Sequence, residues 1–239
     1  MKKAYITGAT GAIGMALVGE LLKNGISTTV FLRKDSGRND HVKDSFSGEL
    51  ASGLLRIEYV SLDELSGYAL SRNTQDMQTY ASQDLLTKAA GGADTAVFYH
   101  LGWSGTFGTQ RNDADMQQKN VEYTLDAVRL AKRLGCVHFI GAGSQAEYGR
   151  FEGRLTPDTR TLPENEYGMA KLAAGIRSAE LCRGLGLRHS WVRVLSVYGP
   201  FDGRNTMIMS VIRGLLSGER VALTKGEQIW NYLYSGDAA

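Results

Sequence analysis

The sequence predicts an α/β protein built on a doubly wound parallel sheet. Short runs rich in β-branched and aromatic residues alternate with longer stretches whose apolar residues recur at helical spacing. This alternation is typical of parallel strands joined by crossover helices. In addition, a glycine-rich turn follows the first of these runs and opens the first helical stretch. Strand, glycine turn and helix in that order are typical of nucleotide-binding sheets.

The individual elements follow from the same pattern. The predicted strands are KAYITG, STTVFLR, LRIEYVS, TAVFYHL, VHFIGAG and SWVRVLS. The predicted helices include AIGMALVGELLKNG, which ends at Gly25, and ADMQQKNVEYTLDAVRLAKRLG, which ends at Gly135. Residues 64–93 are polar and poorly periodic except for residues 84–90, so an irregular crossover is expected there.

The regular alternation of strand and helix patterns ends near residue 200, which predicts two regions. Residues 1–200 are expected to form the main domain with its catalytic residues. Residues 201–239 are expected to begin a smaller substrate-binding region, incomplete because the chain looks truncated at its C-terminus.

The composition excludes several classes of function. The 239 residues are 43% hydrophobic and 22% charged, and a net charge of +2 provides no basic field for nucleic acid. No apolar run is long enough for a signal-peptide core or a membrane span. The two cysteines, Cys136 and Cys182, are predicted to be structural thiols in a reducing cytoplasm. We therefore expect a cytoplasmic protein with small-molecule partners, and no metal site is predicted.

The turn ITGATGAIG predicts a dinucleotide-binding loop of the Rossmann type. Glycine lets the backbone approach a pyrophosphate closely, and the helix N-terminus supplies free amide donors. A glycine triplet also serves ordinary tight turns, but its position between the first strand and the first helix favours cofactor binding. The cofactor contacts expected here are Gly8, Thr10, Gly11, Ala12, Ile13 and Gly14.

The end of the second strand bears on the choice of dinucleotide. Arg33 lies 19 residues beyond Gly14, followed by Lys34 and Asp35. An acidic residue at this point would bind the adenosine ribose of NAD, whereas a guanidinium favours the 2′-phosphate of NADP. Arg33 and Lys34 therefore favour NADP(H), with NAD(H) as the alternative.

The run YGMAK predicts a catalytic pair. Tyr167 and Lys171 lie four residues apart, on one face of a helix. A phenol with a pKa near 10 needs roughly 4 kcal/mol of differential stabilisation to exchange protons at about pH 7. A nearby ammonium and an oxidised nicotinamide can supply it. The alternative is an amphipathic-helix tyrosine beside a solvated lysine.

Taken together, these motifs resemble the extended short-chain dehydrogenase/reductases, in particular the NAD(P)-dependent epimerase/dehydratase family that acts on nucleotide sugars. The matching segments are TGATGAIG (7–14), HLGW (100–103), NVEYTLDAV (from Asn120), GSQAEYG (143–149), YGMAK (167–171) and VRVLSVYGP (192–200). They extend over nearly the whole chain. The resemblance implies a Rossmann-type fold, a nicotinamide cofactor and a nucleotide-sugar substrate.

The resemblance also implies roles for individual residues. Ser144 would hydrogen-bond the reacting sugar oxygen, Tyr167 would act as acid/base, and Lys171 would lower the tyrosine pKa and hold the nicotinamide ribose. Further cofactor contacts are implied at Ser61, Leu62, Leu101, Gly102, Trp103 and Asn120. Substrate contacts are implied at Ser144, Gln145, Ser196 and Arg204. A homodimer through the helix after Asn120 and the helix bearing Tyr167 is expected on the same ground.

We assign no chemical role to His100 or to the tryptophans Trp103 and Trp191. His100 ends a buried strand, where a structural histidine is the favoured interpretation. Trp103 and Trp191 are interpreted as core or pocket wall.

The residues after Ser144 bear on the reaction. Sugar 4,6-dehydratases of the family carry Thr-Asp-Glu at this turn, because eliminating water needs an extra acid and base. Here Gln145 and Ala146 follow Ser144, and neither exchanges protons; Glu147 is displaced by one position. This argues against a dehydratase.

Three functions remain open. An NADP(H)-dependent 4-keto-sugar reductase is favoured by Arg33 and Lys34, and an NAD-dependent 4-epimerase by the general family resemblance. Ser196 stands where many epimerases have a substrate-contacting asparagine. The third alternative is a non-catalytic cofactor sensor or scaffold, which the intact Ser144, Tyr167 and Lys171 disfavour.

Overall fold

The structure is a computed structural model that describes residues 1–71, 95–227 and 229–239. The helical run expected at residues 84–90 lies outside the described residues. Within the described ranges, strands and helices alternate along the chain through the first six strands, as the sequence pattern predicts.

A parallel sheet organises the fold. Its strands are β1 Lys3–Thr7, β2 Ser27–Leu32, β3 Leu55–Tyr59, β4 Ala96–His100, β5 Cys136–Ser144 and β6 Arg188–Val194. Their spatial order is β3-β2-β1-β4-β5-β6, and every neighbouring pair is parallel. The winding reverses between β1 and β4, where a crevice opens at the carboxyl ends of such strands. The predicted doubly wound, Rossmann-type class is confirmed.

Helices flank the sheet, and their ends are defined by side chains and glycines. They are α1 Ala12–Lys23, α2 Asn39–Ser45, α3 Ser47–Ala51, α4 Leu65–Ser71, α5 Ala114–Arg133, α6 Glu166–Leu185, α7 Met207–Leu216 and α8 Ser235–Ala238. The Asp113 carboxylate accepts the Met116 amide at 3.0 Å before α5, and the Asn165 side chain accepts the Gly168 amide at 2.8 Å before α6. Helices α1 and α5 stop just before Gly25 and Gly135, as predicted.

The helix α4 corrects one prediction. Its residues were expected to lie in an irregular crossover, but Leu65–Ser71 is helical. The side chain of Leu65 is fully buried, and the ring of Tyr68 packs edge-on against Phe31 at 5.6 Å between centroids. Two apolar side chains three residues apart therefore hold one face of the helix on the sheet. A hydrophobic pattern of only two residues among polar neighbours is too short to predict a helix from the sequence.

The two faces of the sheet carry separate cores. On one face an aromatic row crosses the strands, with successive ring centroids 5.8–6.4 Å apart: Tyr5, Phe31, Phe98 and Phe139. On the other face, Ile6 and Val30 pack against Met15 and Val18 of α1. Because both faces are covered, the central strand β4 is mostly apolar and buried, whereas the edge strands β3 and β6 keep polar and partly exposed residues.

A small second sheet follows the main one. It pairs β7 Ser196–Tyr198 with β8 Tyr232–Tyr234 in parallel. Helix α8 packs against α1. The predicted division of the chain at residue 200 stays a prediction.

Two further expectations concern the cysteines and the absence of a membrane span. Cys136 and Cys182 are both buried and unpaired, as the sequence predicts. None of the helices within the described ranges is long and apolar enough to cross a membrane.

Candidate active site

The three glycines of the loop between β1 and α1 have different surroundings. Gly8 has φ 76°, and a Cβ there would lie 2.6 Å from the Gly102 amide nitrogen. A Cβ at Gly14 would lie 2.2 Å from the Gly8 carbonyl oxygen. At Gly11 the nearest atom would be 3.8 Å away. Gly8 and Gly14 thus satisfy local packing, while the space above Gly11 stays open for close approach by a ligand.

The first turn of α1 offers hydrogen-bond donors to an anion. Gly11 is the N-cap residue, and no side chain accepts from the turn that follows it. The backbone N–H groups of the first helical turn have no partner within the helix. They point out of the helix end together with its positive dipole. Ala12 and Ile13 lie in this turn, and Thr10 directly precedes Gly11, so the residues present fit a dinucleotide pyrophosphate.

The loop after β2 displays positive charge. The side chains of Arg33, Lys34 and Arg38 are exposed, and within the described ranges none of them has an ion-pair partner. Asp35 is exposed in the same loop. The buried side chain of Asn39 donates hydrogen bonds to the carbonyl oxygens of Arg33 and Lys34, at 3.0 and 3.1 Å. Asn39 therefore fixes the path of the loop, and Arg38 adds a cation that the sequence analysis did not single out.

The turn after β3 holds two of the expected cofactor contacts. The amide and the hydroxyl of Ser61 both donate to the Glu64 carboxylate, at 2.8 and 2.6 Å. This capping box organises the short 3₁₀ turn Leu62–Glu64. A Cβ at Gly102 would lie 3.0 Å from Leu62 Cδ2. This turn therefore packs against the segment that follows β4 and begins with Leu101 and Gly102. The cofactor roles of Ser61, Leu62, Leu101 and Gly102 stay predictions.

The three residues predicted to be catalytic come together at the end of β5. Ser144 is the last residue of that strand, while Tyr167 and Lys171 occupy the first two turns of α6. All three are buried, with 9%, 8% and 4% of their surface exposed. The Ser144 hydroxyl accepts the Ala146 amide at 3.2 Å, and Lys171 Nζ lies 5.9 Å from the Tyr167 ring centroid.

Burial dominates the ionisation of the pair. Burial raises the pKa of Tyr167, and the nearby Ser144 side chain and the Arg111 guanidinium oppose that rise. Burial lowers the pKa of Lys171 to about 7, and the nearby Glu147 carboxylate opposes that fall. The lysine therefore titrates near neutrality, where a proton-transfer site operates.

Trp103 lies beside both Tyr167 and Lys171, two of the three residues predicted to be catalytic. Lys171 Nζ lies 3.7 Å from the Trp103 ring centroid and donates a 2.6 Å hydrogen bond to the Ala142 carbonyl. The Trp103 ring meets Tyr167 edge-on at 6.1 Å. Its indole N–H donates to Gln117 at 2.8 Å, which sets the ring plane. Trp103 thus holds the lysine through a cation–π contact.

Glu147 has a role that the sequence analysis missed. Its carboxylate is fully buried and accepts the Ser144 amide at 2.7 Å, the Trp191 indole at 3.0 Å and Arg193 Nε at 2.7 Å. Arg193 also donates to the Tyr148 hydroxyl at 3.2 Å. The available signal was Arg193 itself, because a charged residue inside a predicted strand needs a partner when that strand is covered. The Glu147–Arg193 ion pair thus fixes the backbone of Ser144 through the Ser144 amide.

A slot without side chains accommodates Trp191. A Cβ at Gly141 would lie 2.3 Å from its ring, one at Gly143 would lie 2.5 Å from its indole nitrogen, and one at Gly175 would lie 2.8 Å from that nitrogen. Two of these glycines belong to β5 and the third to α6. The indole therefore lies directly against strand and helix, as the predicted role in the core or pocket wall requires.

Asn120 and His100 are both held by internal hydrogen bonds. Asn120 is buried, accepts the Ser104 amide and donates to the Ser104 carbonyl, each at 2.9 Å. His100 is bonded by the hydroxyls of Thr7 and Thr124, at 2.8 and 3.2 Å. Burial, with a further contribution from Lys171, lowers the pKa of His100 to about 3. These contacts give His100 a structural role, and the cofactor role of Asn120 stays a prediction.

The expected substrate contacts lie in three separate segments of the chain. Gln145 follows Ser144 directly, in the 3₁₀ turn Gln145–Glu147. Ser196 begins β7, and its hydroxyl accepts a hydrogen bond from the Trp230 indole. Arg204 is exposed in the turn before α7. The structure brings Gln145 next to the catalytic residues through chain continuity, and the substrate roles of all three residues stay predictions.

A search of the described residues for groups of three His, Cys, Asp or Glu side chains able to hold a metal ion found none.

Comparison with protein families places this site in a known context. The family model for the NAD dependent epimerase/dehydratase family matches residues 4–239. The chain belongs to this family of enzymes, and the resemblance inferred from its motifs is confirmed. A comparison with curated protein sequences found no match.

Solved structures with the same fold include several nucleotide-sugar enzymes. The UDP-glucuronic acid 4-epimerase from Bacillus cereus in complex with NAD aligns with a TM-score of 0.73 at 19% identity, covering 99% of this chain and 71% of that chain. The UDP-glucose 4-epimerase from Thermotoga maritima with UDP-glucose gives 0.72 at 19% identity, covering 99% and 70%. MoeE5 in complex with UDP-glucose and NAD gives 0.71 at 22% identity, covering 99% and 69%.

Proposed function

We propose that this protein transfers a hydride to or from a secondary alcohol or ketone of a nucleotide sugar, with Ser144, Tyr167 and Lys171 as its catalytic residues. The observation that carries the proposal is the convergence of these three buried side chains at the carboxyl end of β5, where Lys171 Nζ lies 5.9 Å from the Tyr167 ring centroid. Membership of the epimerase/dehydratase family supports the same chemistry.

Ser144, Tyr167 and Lys171 have different roles in one proton transfer. A bound nicotinamide dinucleotide supplies the acceptor or donor of the hydride. In the oxidising direction, the Tyr167 phenolate takes the proton of the sugar hydroxyl, so that the C–O bond becomes a carbonyl as the hydride leaves the same carbon. In the reducing direction, the Tyr167 phenol returns a proton to the sugar oxygen. Ser144 donates a hydrogen bond to that oxygen and holds it next to the phenol. Lys171 contributes positive charge when it is protonated.

Within this chemistry we favour an NADP(H)-dependent 4-keto-sugar reductase. The supporting observation is the loop after β2, where Arg33, Lys34 and Arg38 expose three cations without ion-pair partners among the described residues. Guanidinium groups bind phosphate through paired, charge-assisted hydrogen bonds. A 2′-phosphate would therefore gain contacts there that a plain ribose would not.

A second candidate is an NAD-dependent 4-epimerase. It is supported by the fold shared with 4-epimerases solved in complex with NAD. An epimerase needs the same proton transfer in both directions, so the three catalytic residues serve it equally well. A 4,6-dehydratase is less well supported, because Gln145 and Ala146 provide no second acid or base.

Two measurements test these proposals. The protein is first denatured to release and identify any retained nucleotide, and the stripped protein is then titrated with NADPH and NADH by fluorescence. Turnover is next followed with a nucleotide-linked 4-keto sugar plus NADPH, and with UDP-glucose and UDP-glucuronic acid for epimerisation. Reversible, preferential NADPH binding with ketone reduction supports the reductase, whereas retained NAD with epimerisation supports the second candidate. Tight cofactor binding without turnover on any of these sugars would overturn both and favour a sensor.

A further inference from the structure

The segment that follows β4 is fixed on α5 by one buried side chain. Gln117 is 1% exposed, and its amide donates to the carbonyl oxygens of Gly105 and Gln110, at 2.9 and 3.0 Å. Its amide oxygen accepts the Trp103 indole N–H at 2.8 Å. These three bonds hold the start, the middle and the end of the segment. The residue next to Gln110 therefore has a defined position, and that residue is Arg111.

Arg111 lies on the face of the Tyr167 ring. Its guanidinium carbon is 4.3 Å from the ring centroid, within the range of a cation–π contact. One guanidinium nitrogen donates a 3.4 Å hydrogen bond to the Thr106 carbonyl. In the described part of the chain, no carboxylate lies within ion-pair distance of Arg111. Among these described residues, the charge therefore faces the tyrosine without a competing carboxylate.

A cation in this position distinguishes the two forms of the tyrosine. A phenolate spreads negative charge into its ring, so a guanidinium on the ring face attracts the phenolate more strongly than the neutral phenol. Arginine keeps its charge at every pH at which proteins are active. Lys171 does not, because burial lowers its pKa to about 7. Its Nζ is also farther from the Tyr167 ring, at 5.9 Å, and lies over Trp103 instead.

The charged groups around Tyr167 come from three elements. Arg111 faces it from the segment after β4, Lys171 from its own helix α6, and Glu147 from the turn after β5. Glu147 raises the Tyr167 pKa, but Arg193 of β6 pairs with that carboxylate at 2.7 Å. Arg111 is thus the permanent positive charge next to the phenol that is not engaged in an ion pair among the described residues.

We propose that Arg111 is a positioning residue for proton transfer, which keeps a permanent positive charge on the face of Tyr167 and so stabilises its phenolate. The inference rests on the proposed function, since it assigns Arg111 to the step that Tyr167 carries out there. It also explains why the segment after β4 is held so firmly by Gln117.

The test is a direct titration of Tyr167 in the resting protein. Protein labelled with ¹³C at the tyrosine ring carbon next to oxygen is titrated by NMR, and the Tyr167 signal is assigned by its loss in Tyr167→Phe. Arg111→Gln should raise the pKa of Tyr167, and Arg111→Lys should restore most of the difference. The exposed Arg129→Gln on α5, whose arginine is paired with Asp126, is the matched control and should leave Tyr167 unchanged.

Turnover provides the second readout. In the oxidising direction, Arg111→Gln should move the rise of kcat/KM with pH to higher pH and lower it roughly threefold to tenfold near neutrality. A Tyr167 titration that is identical in Arg111→Gln and wild type would overturn the inference, even in an active enzyme. A wild-type protein that turns over no nucleotide sugar would instead overturn the proposed function, and the titration would still decide the effect of Arg111 on Tyr167.

Discussion

The reaction centre and the loop after β2 both carry charged side chains, but in opposite surroundings. At the reaction centre, Glu147 and Lys171 are buried, and the hydrogen bonds of Glu147 are short and specific. In the loop, Arg33, Lys34 and Arg38 stand in solvent, and only the backbone is fixed, by Asn39. The comparison separates buried charges, to which we assign the proton transfer, from exposed charges, to which we assign cofactor binding.

The difference in surroundings sets the size of the expected effects. Charges in a water-poor interior interact several times more strongly than the same charges at the surface, where water and salt screen them. Substitutions in the reaction centre should therefore change rate and stability strongly. Substitutions in the loop should change cofactor affinity modestly and in a salt-dependent way.

The largest effect is expected from Tyr167→Phe. Losing the proton-transfer group should lower turnover roughly 10²- to 10⁴-fold, while cofactor binding persists because the ring stays in place. Steady-state kinetics and a fluorescence titration measure the two properties. Tyr148→Phe removes another buried tyrosine hydroxyl, one that donates to the Thr156 carbonyl, and serves as the control. Full activity of Tyr167→Phe would refute the mechanism.

Next in size is the effect of Glu147→Gln on stability. The change leaves Arg193 without its buried counter-ion and should reduce the free energy of unfolding by about 2 kcal/mol. This figure is below the value for a fully buried pair because the Arg193 side chain is 25% exposed. Urea denaturation measures it. Glu164→Gln breaks an exposed pair with Arg150 and should change stability by less than about 1 kcal/mol. Equal losses in the two variants would mean that burial does not strengthen the Glu147 pair.

The buried lysine predicts a pH dependence of stability. Burial lowers the folded-state pKa of Lys171 to about 7 from an ordinary value of 10.5. Between these values the unfolded chain binds more protons than the folded one, so stability should rise with pH, by up to about 1.4 kcal/mol per pH unit. Urea midpoints from about pH 7 to about pH 8.5 test this. At higher pH the two cysteines have the opposite effect on stability, because burial raises the pKa of Cys136 and Cys182 in the folded protein. Lys171→Met should flatten the slope, and an unchanged slope would contradict the assignment.

The smallest effect belongs to the loop. Arg33→Asp should weaken NADPH binding about tenfold more than NADH binding, because a charge-assisted contact to the 2′-phosphate is replaced by repulsion. Titrations at low and high salt measure it, and the difference should shrink at high salt. Arg133→Asp, at the exposed end of α5, is the control. Equal losses for the two nucleotides would show that Arg33 does not read the phosphate.

The sequence was sufficient for features that repeat locally. Hydrophobic periodicity predicted the six strands, and the glycine loop and YGMAK run carried their own spacing. It was insufficient where function depends on contacts between distant segments. Glu147 meets Arg193 across 46 residues, and Arg111 meets Tyr167 from a segment that Gln117 holds by hydrogen bonds. No local pattern records which buried acid pairs with which base, so these residues emerged from the geometry alone.

The slot that holds Trp191 has a consequence for how this site can change over time. Gly141, Gly143 and Gly175 leave room for the indole, and a methyl group on any of them would collide with it. A smaller residue at position 191 would remove one donor from Glu147 and leave the space between the three glycines unfilled. The four positions are therefore coupled: a side chain at any of the three glycines is compatible with this packing only when position 191 carries a smaller residue. Single substitutions at the glycines should be disruptive, and a paired exchange with position 191 should be tolerated better.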